Sequence, residues 1–149
     1  AIAMRFKMDH IVLNVENMDE MAKFYWQILQ LQPERVNEYR AGSAPFPSVR
    51  VNKDTIIDLF PKEAWARDGQ RKTGPGNLNH FCLSMAKSEW DHLLEMLKVN
   101  NIPVESGPLK RYGAHGTGTS VYFRDPDGNQ IEVRYYAAED AADHRSLWS

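Results

Sequence analysis

The sequence predicts an α+β fold of paired βαβββ modules, and three observations predict it. The order strand, helix, three strands can be read twice, once over about residues 7–61 and again over 78–136, with a linker at 62–77. Polar landmarks recur with that order: His10 and His80 are 70 residues apart, and Asp58 and Glu132 are 74 apart. In each module the histidine falls in the first strand and the acid in the last, on the side opposite the apolar, helix-facing residues. Two such modules side by side predict a curved, barrel-like mixed sheet, with the helices outside and a polar trough inside.

The first strand is expected at 8–15, where Ile11, Leu13 and Val15 alternate with His10, Val12 and Asn14. Asn17 supplies an N-cap with Glu20 three residues on. Met21, Phe24, Tyr25, Ile28 and Leu29 then recur at helical spacing, which predicts an amphipathic helix to about Leu31, ended by Pro33. Three short strands follow, at 35–40, 48–52 and 55–60; in the last, Ile57 and Leu59 oppose Asp58. Lys, Arg, Gly and Pro crowd the linker, which holds a short helical turn at 62–67.

The pattern then restarts. A strand at 79–85 sets His80, Cys82 and Ser84 against Phe81, Leu83 and Met85. Ser88 opens a second helix carrying Trp90, Leu93, Leu94 and Leu97, and Asn100, Asn101 and Pro103 close it. Strands at 104–106, 120–124 and 130–136 complete the module, with Lys110 and Arg111 in a Gly/Pro-bounded loop between the first two. The last two strands form a hairpin about Asp125, Pro126, Asp127 and Gly128; Pro presets φ and Gly accepts φ > 0. Val121, Phe123, Ile131, Val133 and Tyr135 make its apolar face. Ser120, Tyr122, Arg124, Gln130, Glu132 and Arg134 make its polar face. Residues 137–149 read as a peripheral tail, and Ala1–Ala3, ahead of Met4, are set aside from the fold.

A chain of 149 residues with a formal net charge of -2 accommodates one domain and has no basic excess for nucleic acid. No apolar run approaches the ~20 residues of a membrane span, and no signal-peptide pattern is present. The single Cys82 cannot form an internal disulfide, which points to a reducing, cytoplasmic setting.

A carboxylate inside a strand is unusual unless its face meets water, a partner or a metal. One strand histidine is ordinarily a core residue with a satisfied ring. Two imidazoles and a carboxylate at matched positions of a repeated unit are the donor set of a facial triad. His10, His80 and Glu132 are therefore expected to bind one divalent metal, Fe2+ or Mn2+, or Zn2+ in tetrahedral geometry. Asp58 could join as a ligand, bridge through water, act as a base or hydrogen-bond a ligand. Arg124 and Arg134 share the face of Glu132 and are candidates for binding an anionic substrate or for a structural ion pair.

The segments 8–15, 79–80 and 122–133, within about 7–136, resemble the vicinal oxygen chelate superfamily. That group includes glyoxalase I, fosfomycin-resistance thiol transferases, methylmalonyl-CoA epimerase, bleomycin-resistance binding proteins and type I extradiol dioxygenases. The run at 107–114 resembles small glyoxalase-domain proteins. The resemblance implies a metal-dependent enzyme whose small substrate chelates the metal through two adjacent oxygens, and it implies a homodimer. It places Asp58 where glyoxalase I-like and epimerase-like members carry a fourth ligand.

Gly113, Ala114 and His115, followed by Val121, Tyr122, the 125–128 turn and Glu132, resemble the signature of extradiol dioxygenases. Carried over, His115 would stabilise or protonate the oxygenated intermediate and Tyr122 would hydrogen-bond a substrate oxygen. Extradiol-like ring cleavage with Fe2+ or Mn2+ is thus the leading expectation. No histidine lies between His10 and His80 to match the base of the larger dioxygenases. Glyoxalase I-like lyase or isomerase chemistry with Zn2+ or Ni2+, and Asp58 moving the proton, therefore stands close behind. Val12 occupies the place where fosfomycin transferases carry Thr. Outside catalysis, the alternative is a metal-free binding or resistance module, against which the intact His10, His80 and Glu132 set argues.

Overall fold

The computed structural model describes residue 5 and residues 7–66 and 78–137. The tail from 138 on, the linker residues 67–77 and the residues before Arg5 lie outside the described residues. Contacts divide the chain after Asn77, and each of the two units carries its own four-stranded mixed sheet. The α+β class and the repeated order hold. The strands form two four-stranded mixed sheets, neither a closed barrel, and the first strand of each unit pairs with the last strand of the same unit.

In the first unit the strand order is β1-β4-β3-β2. β1 (His10–Asn14) runs parallel to β4 (Ile56–Phe60), and β3 (Ser48–Arg50) joins β4 to β2 (Gln32–Glu34) by antiparallel ladders. Between β1 and β2 lies α1 (Met18–Gln27). Asn17 Oδ1 accepts from the Glu20 amide at 3.0 Å, satisfying one of the orphan N–H groups of the first turn. Met21, Phe24, Tyr25 and Ile28 are buried along one face.

The helix stops at Gln27, earlier than the expected Leu31. Gln30 adopts φ 56, and the Leu31 amide bonds the Tyr25 carbonyl, which closes the helix end before Pro33 is reached. Pro33 itself sits in β2, at the sheet edge, where its missing N–H costs no ladder bond.

Residues 35–40 depart from the expected strand. They form α2 (Val36–Arg40), entered through Arg35 at φ 60 and closed by Tyr39 N to Arg35 O and Ala41 N to Asn37 O bonds. The Arg35 guanidinium lies 4.5 Å from the Phe46 ring centroid, a contact made across the chain that no local pattern records. The short turn expected in the linker is α3 (Lys62–Trp65), whose Trp65 indole donates to the Val15 carbonyl.

The second unit repeats the plan with longer strands. Its order is β5-β8-β7-β6, comprising β5 (Phe81–Ser84), β6 (Ser106–Gly113), β7 (Gly116–Arg124) and β8 (Gln130–Tyr135). The helix α4 (Lys87–Val99) buries Trp90, Leu93 and Leu97, and the Trp90 indole donates to the Val133 carbonyl of β8. Its first turn is capped by Glu89, which accepts from the Ala86 amide, and Asn101 at φ 57 ends it.

Residues 107–113 are strand rather than loop, so Lys110 and Arg111 sit on β6. Gly107 and Pro108 hid it. β6 is an edge strand paired only with β7, and its register shifts between Ser106 and Leu109, so a proline there breaks no ladder.

The terminal hairpin keeps the alternation read from the sequence. Val121 faces Val133 and Phe123 faces Ile131 in register, and all four are buried. Asp125, 5% exposed, accepts from the amides of Asp127 and Asn129 and from the Asn129 side chain, while Gly128 takes φ 85. This turn fixes the β7–β8 register and therefore which residue stands opposite Glu132. Replacing Asp125 by Ala removes three acceptor bonds at a buried turn and is expected to cost about 2–3 kcal/mol. Urea unfolding of the two proteins side by side measures it.

Candidate functional site

Register sets the histidine–acid relation in the same way in both units. Val12 pairs with Asp58, and Cys82 pairs with Glu132. In each case the residue opposite the acid is two positions after the histidine, so the imidazole lies one step along the same face. His10 is the first residue of β1. His80 immediately precedes β5 rather than lying within it.

In the second unit the His80 Nε2 stands 3.1 Å from Glu132 Oε1. Its Nδ1 is hydrogen-bonded to the Asn79 side-chain oxygen, which orients the ring with Nε2 toward Glu132. Glu132 is 3% exposed. Its other oxygen, Oε2, accepts from Ser120 Oγ at 2.6 Å and from Arg134 Nη2 at 2.6 Å. Burial alone would push the Glu132 carboxyl up. The hydrogen bonds from Ser120 and Arg134, with the charge of Arg134, outweigh it and hold the group below the ordinary carboxylate range.

In the first unit the same plan is looser. His10 Nε2 is 3.9 Å from Asp58 Oδ2, and His10 Nδ1 bonds Asp9 Oδ2 at 2.7 Å. Asp58 is buried, and its Oδ1 accepts from Ser48 Oγ at 2.6 Å. The hydrogen bond to Asp9 raises the His10 pKa, helped by the charges of Asp58 and Asp9 and opposed by partial burial. A metal at Nε2 would compete with protonation, which this environment favours.

Each unit thus presents one imidazole Nε2 and one carboxylate oxygen, with the far atom of each group already tied. Adjacent ligands on a metal with bonds of ~2.1 Å lie roughly 3 Å apart, and the His80–Glu132 spacing fits that requirement. Among the described residues no three His, Cys, Asp or Glu side chains are gathered closely enough to hold an ion by themselves.

Tyr122 pairs with Glu132 in register, and its ring meets the His80 ring edge-on with centroids 5.7 Å apart. Burial first, then the Glu132 charge, raises its phenol. His115 stands elsewhere, in the β6–β7 turn, with its ring edge-on to Tyr136 and its amide bonded to the Tyr136 hydroxyl. Hydrogen bonds link it through Tyr136 and Arg134 to Glu132, whereas Tyr122 meets His80.

Arg124 is held by the Glu105 carboxylate at 2.9 and 3.0 Å and by the Gly128 carbonyl. Arg134 is 4% exposed and bonded on every side. Both arginines are engaged in ion pairs, Arg134 buried and Arg124 half exposed. Cys82, although in contact with solvent, has its thiol pushed up to about 11 by burial and by the Glu132 charge, and its sulfur lies 3.3 Å from Arg134 Nε.

The side chains missed in the sequence are those that hold the donors: Asp9 and Asn79 on the imidazoles, Ser48 and Ser120 on the acids. A signal for them existed. Asp9 and Asn79 directly precede the two histidines, and Ser48 and Ser120 are 72 apart, inside the same repeat.

A family model described as the Glyoxalase/Bleomycin resistance protein/Dioxygenase superfamily matches residues 7–133. The chain is 28% identical over 130 residues to virulence protein STM3117 of Salmonella typhimurium, covering 87% of this chain and 84% of that protein. It is also 28% identical over 130 residues to a probable lactoylglutathione lyase of Synechocystis, covering 83% of this chain and 91% of that protein. Among solved structures, an integron cassette protein from the mobile metagenome of V. cholerae superposes with a TM-score of 0.69 at 24% identity, over 92% of this chain and 100% of that chain.

The depressed Glu132 pKa has a signed consequence. A carboxylate whose pKa is lower folded than unfolded contributes stability above the unfolded value, near 4.5, and that contribution is lost as pH falls through the folded value. Glu132→Gln is therefore expected to be less stable than the parent at pH 7 and to lose less stability than the parent below about pH 4.5. Thermal unfolding from pH 7 to pH 3 measures both arms.

Proposed function

This chain belongs to the Glyoxalase/Bleomycin resistance protein/Dioxygenase superfamily, and on that premise we propose that it is a divalent-metal-dependent enzyme acting on a small molecule with two adjacent oxygens. The observation that carries the reading is the His80–Glu132 pair, with Nε2 and Oε1 3.1 Å apart and each group tied at its far atom. His80 and Glu132 are the donors of the second unit, and His10 is the donor of the first, with Asp58 beside it. A bound divalent ion would supply Lewis acidity to the paired substrate oxygens.

Proton transfer of the lyase or isomerase type is the reaction this arrangement favours. Ser48 holds one oxygen of Asp58, which leaves Oδ2 to take a proton from substrate carbon and return it. The Tyr122 phenol, raised and beside His80, stays protonated at neutral pH and donates to a substrate oxygen. The similarity to a probable lactoylglutathione lyase supports the same reading. Extradiol-like ring cleavage is the second reading, and Tyr122 beside His80 and Glu132 is what favours it.

Elemental analysis of protein purified without chelator is expected to give one equivalent of divalent metal, lost in His80→Ala; full metal content in the variant would overturn the site. Zinc or nickel directs the assay to hemithioacetals, and iron or manganese to catechols under air. With the metal-loaded protein, Asp58→Asn is expected to lower kcat by about 100-fold or more while metal content holds. An unchanged kcat would remove Asp58 as the proton carrier.

A further inference from the structure

We propose that Ser120 and Arg134 are positioning residues that occupy Glu132 Oε2 and so make Glu132 a one-oxygen ligand, donating through Oε1 alone; this rests on the reading of Glu132 as a metal ligand. Both contacts to Oε2 are 2.6 Å, whereas Oε1 meets the His80 Nε2. A carboxylate that could rotate would offer a metal either oxygen or both. Here rotation breaks two short, buried, charge-assisted bonds.

The guanidinium cannot follow such a rotation because all five of its N–H groups are used. Nε meets Cys82 Sγ on β5. Nη1 donates to the Arg111 carbonyl and the Tyr136 hydroxyl, and Nη2 to the Tyr112 carbonyl and to Glu132. Three strands therefore grip one side chain. The space for it is cut by Gly113, where an added Cβ would lie 2.0 Å from Arg134 Nη1 and 2.7 Å from the Tyr136 hydroxyl. The backbone of Gly113 is not in the left-handed region, so its lack of a side chain serves this fit rather than a turn. Gly113→Ala thus reaches Glu132 only by displacing Arg134.

The test uses the full chain and Co2+ as probe, in the parent, Ser120→Ala and Gly113→Ala. Co2+ affinity is read from the visible absorption titration, and thermal unfolding of the metal-free proteins is read beside it. Both variants are expected to bind Co2+ about 10–100-fold more weakly with an altered visible band, by more than their shift in Tm explains. Affinity and band unchanged from the parent in folded variants would overturn the proposal.

Absence of Co2+ uptake by the parent would instead overturn the metal reading. The orientation of Glu132 would then be decided by crystal structures of the metal-free variants. A carboxylate swung away from His80 supports the positioning role, and one still in place overturns it. Should Ser120→Ala fail to fold, Gly113→Ala carries the same test alone.

Discussion

A buried, ionised carboxylate in the middle of a strand is the constraint around which the second unit is arranged. Moving Glu132 out of water costs several kcal/mol unless its charge and lone pairs are answered. The answer comes from Ser120 on the neighbouring strand and from Arg134 two residues on along β8. Arg134 then needs answers of its own, and it finds them in the β6 carbonyls of Arg111 and Tyr112 and in Tyr136. Gly113 of β6 leaves the space that Arg134 fills. No buried side-chain nitrogen or oxygen among the described residues lacks a partner.

The first unit answers the same problem at lower cost. Asp58 has its serine but, among the described residues, no arginine, and its histidine stands farther off and more open to solvent. The two units therefore divide a common plan into a tightly held pair and a looser one.

Much of this was legible because it is periodic. Alternation gave the apolar face of the β7–β8 hairpin, although Ser120, Glu132 and Arg134 of its polar face are buried as well; helical spacing gave Met21, Phe24 and Tyr25, and the repeat paired His10 with His80 and Asp58 with Glu132. What could not be read was set by contacts between residues distant in sequence. Arg35 in the left-handed region turns 36–40 into a helix although the residues themselves read as strand. β6 is rich in Gly and Pro, which looks like a loop until its edge position and the space needed by Arg134 are known. His115 fits a signature by spacing, yet the hairpin turn carries it to Tyr136. Spacing along a chain specifies a distance only when the strand register between the two points is also specified.

The two acids show how register and side-chain length trade against each other. Ser48 stands directly opposite Asp58, whereas Ser120 stands opposite Arg134, a diagonal step from Glu132, and yet both hydroxyls meet their carboxylates at 2.6 Å. The extra methylene of glutamate spans the diagonal that aspartate does not need. Aspartate and glutamate are thus not interchangeable spellings of one acid in this chain. Each is matched to the ladder it sits in, so a substitution usually scored as conservative would act here as a change of geometry, overshooting the serine in one unit and falling short of it in the other.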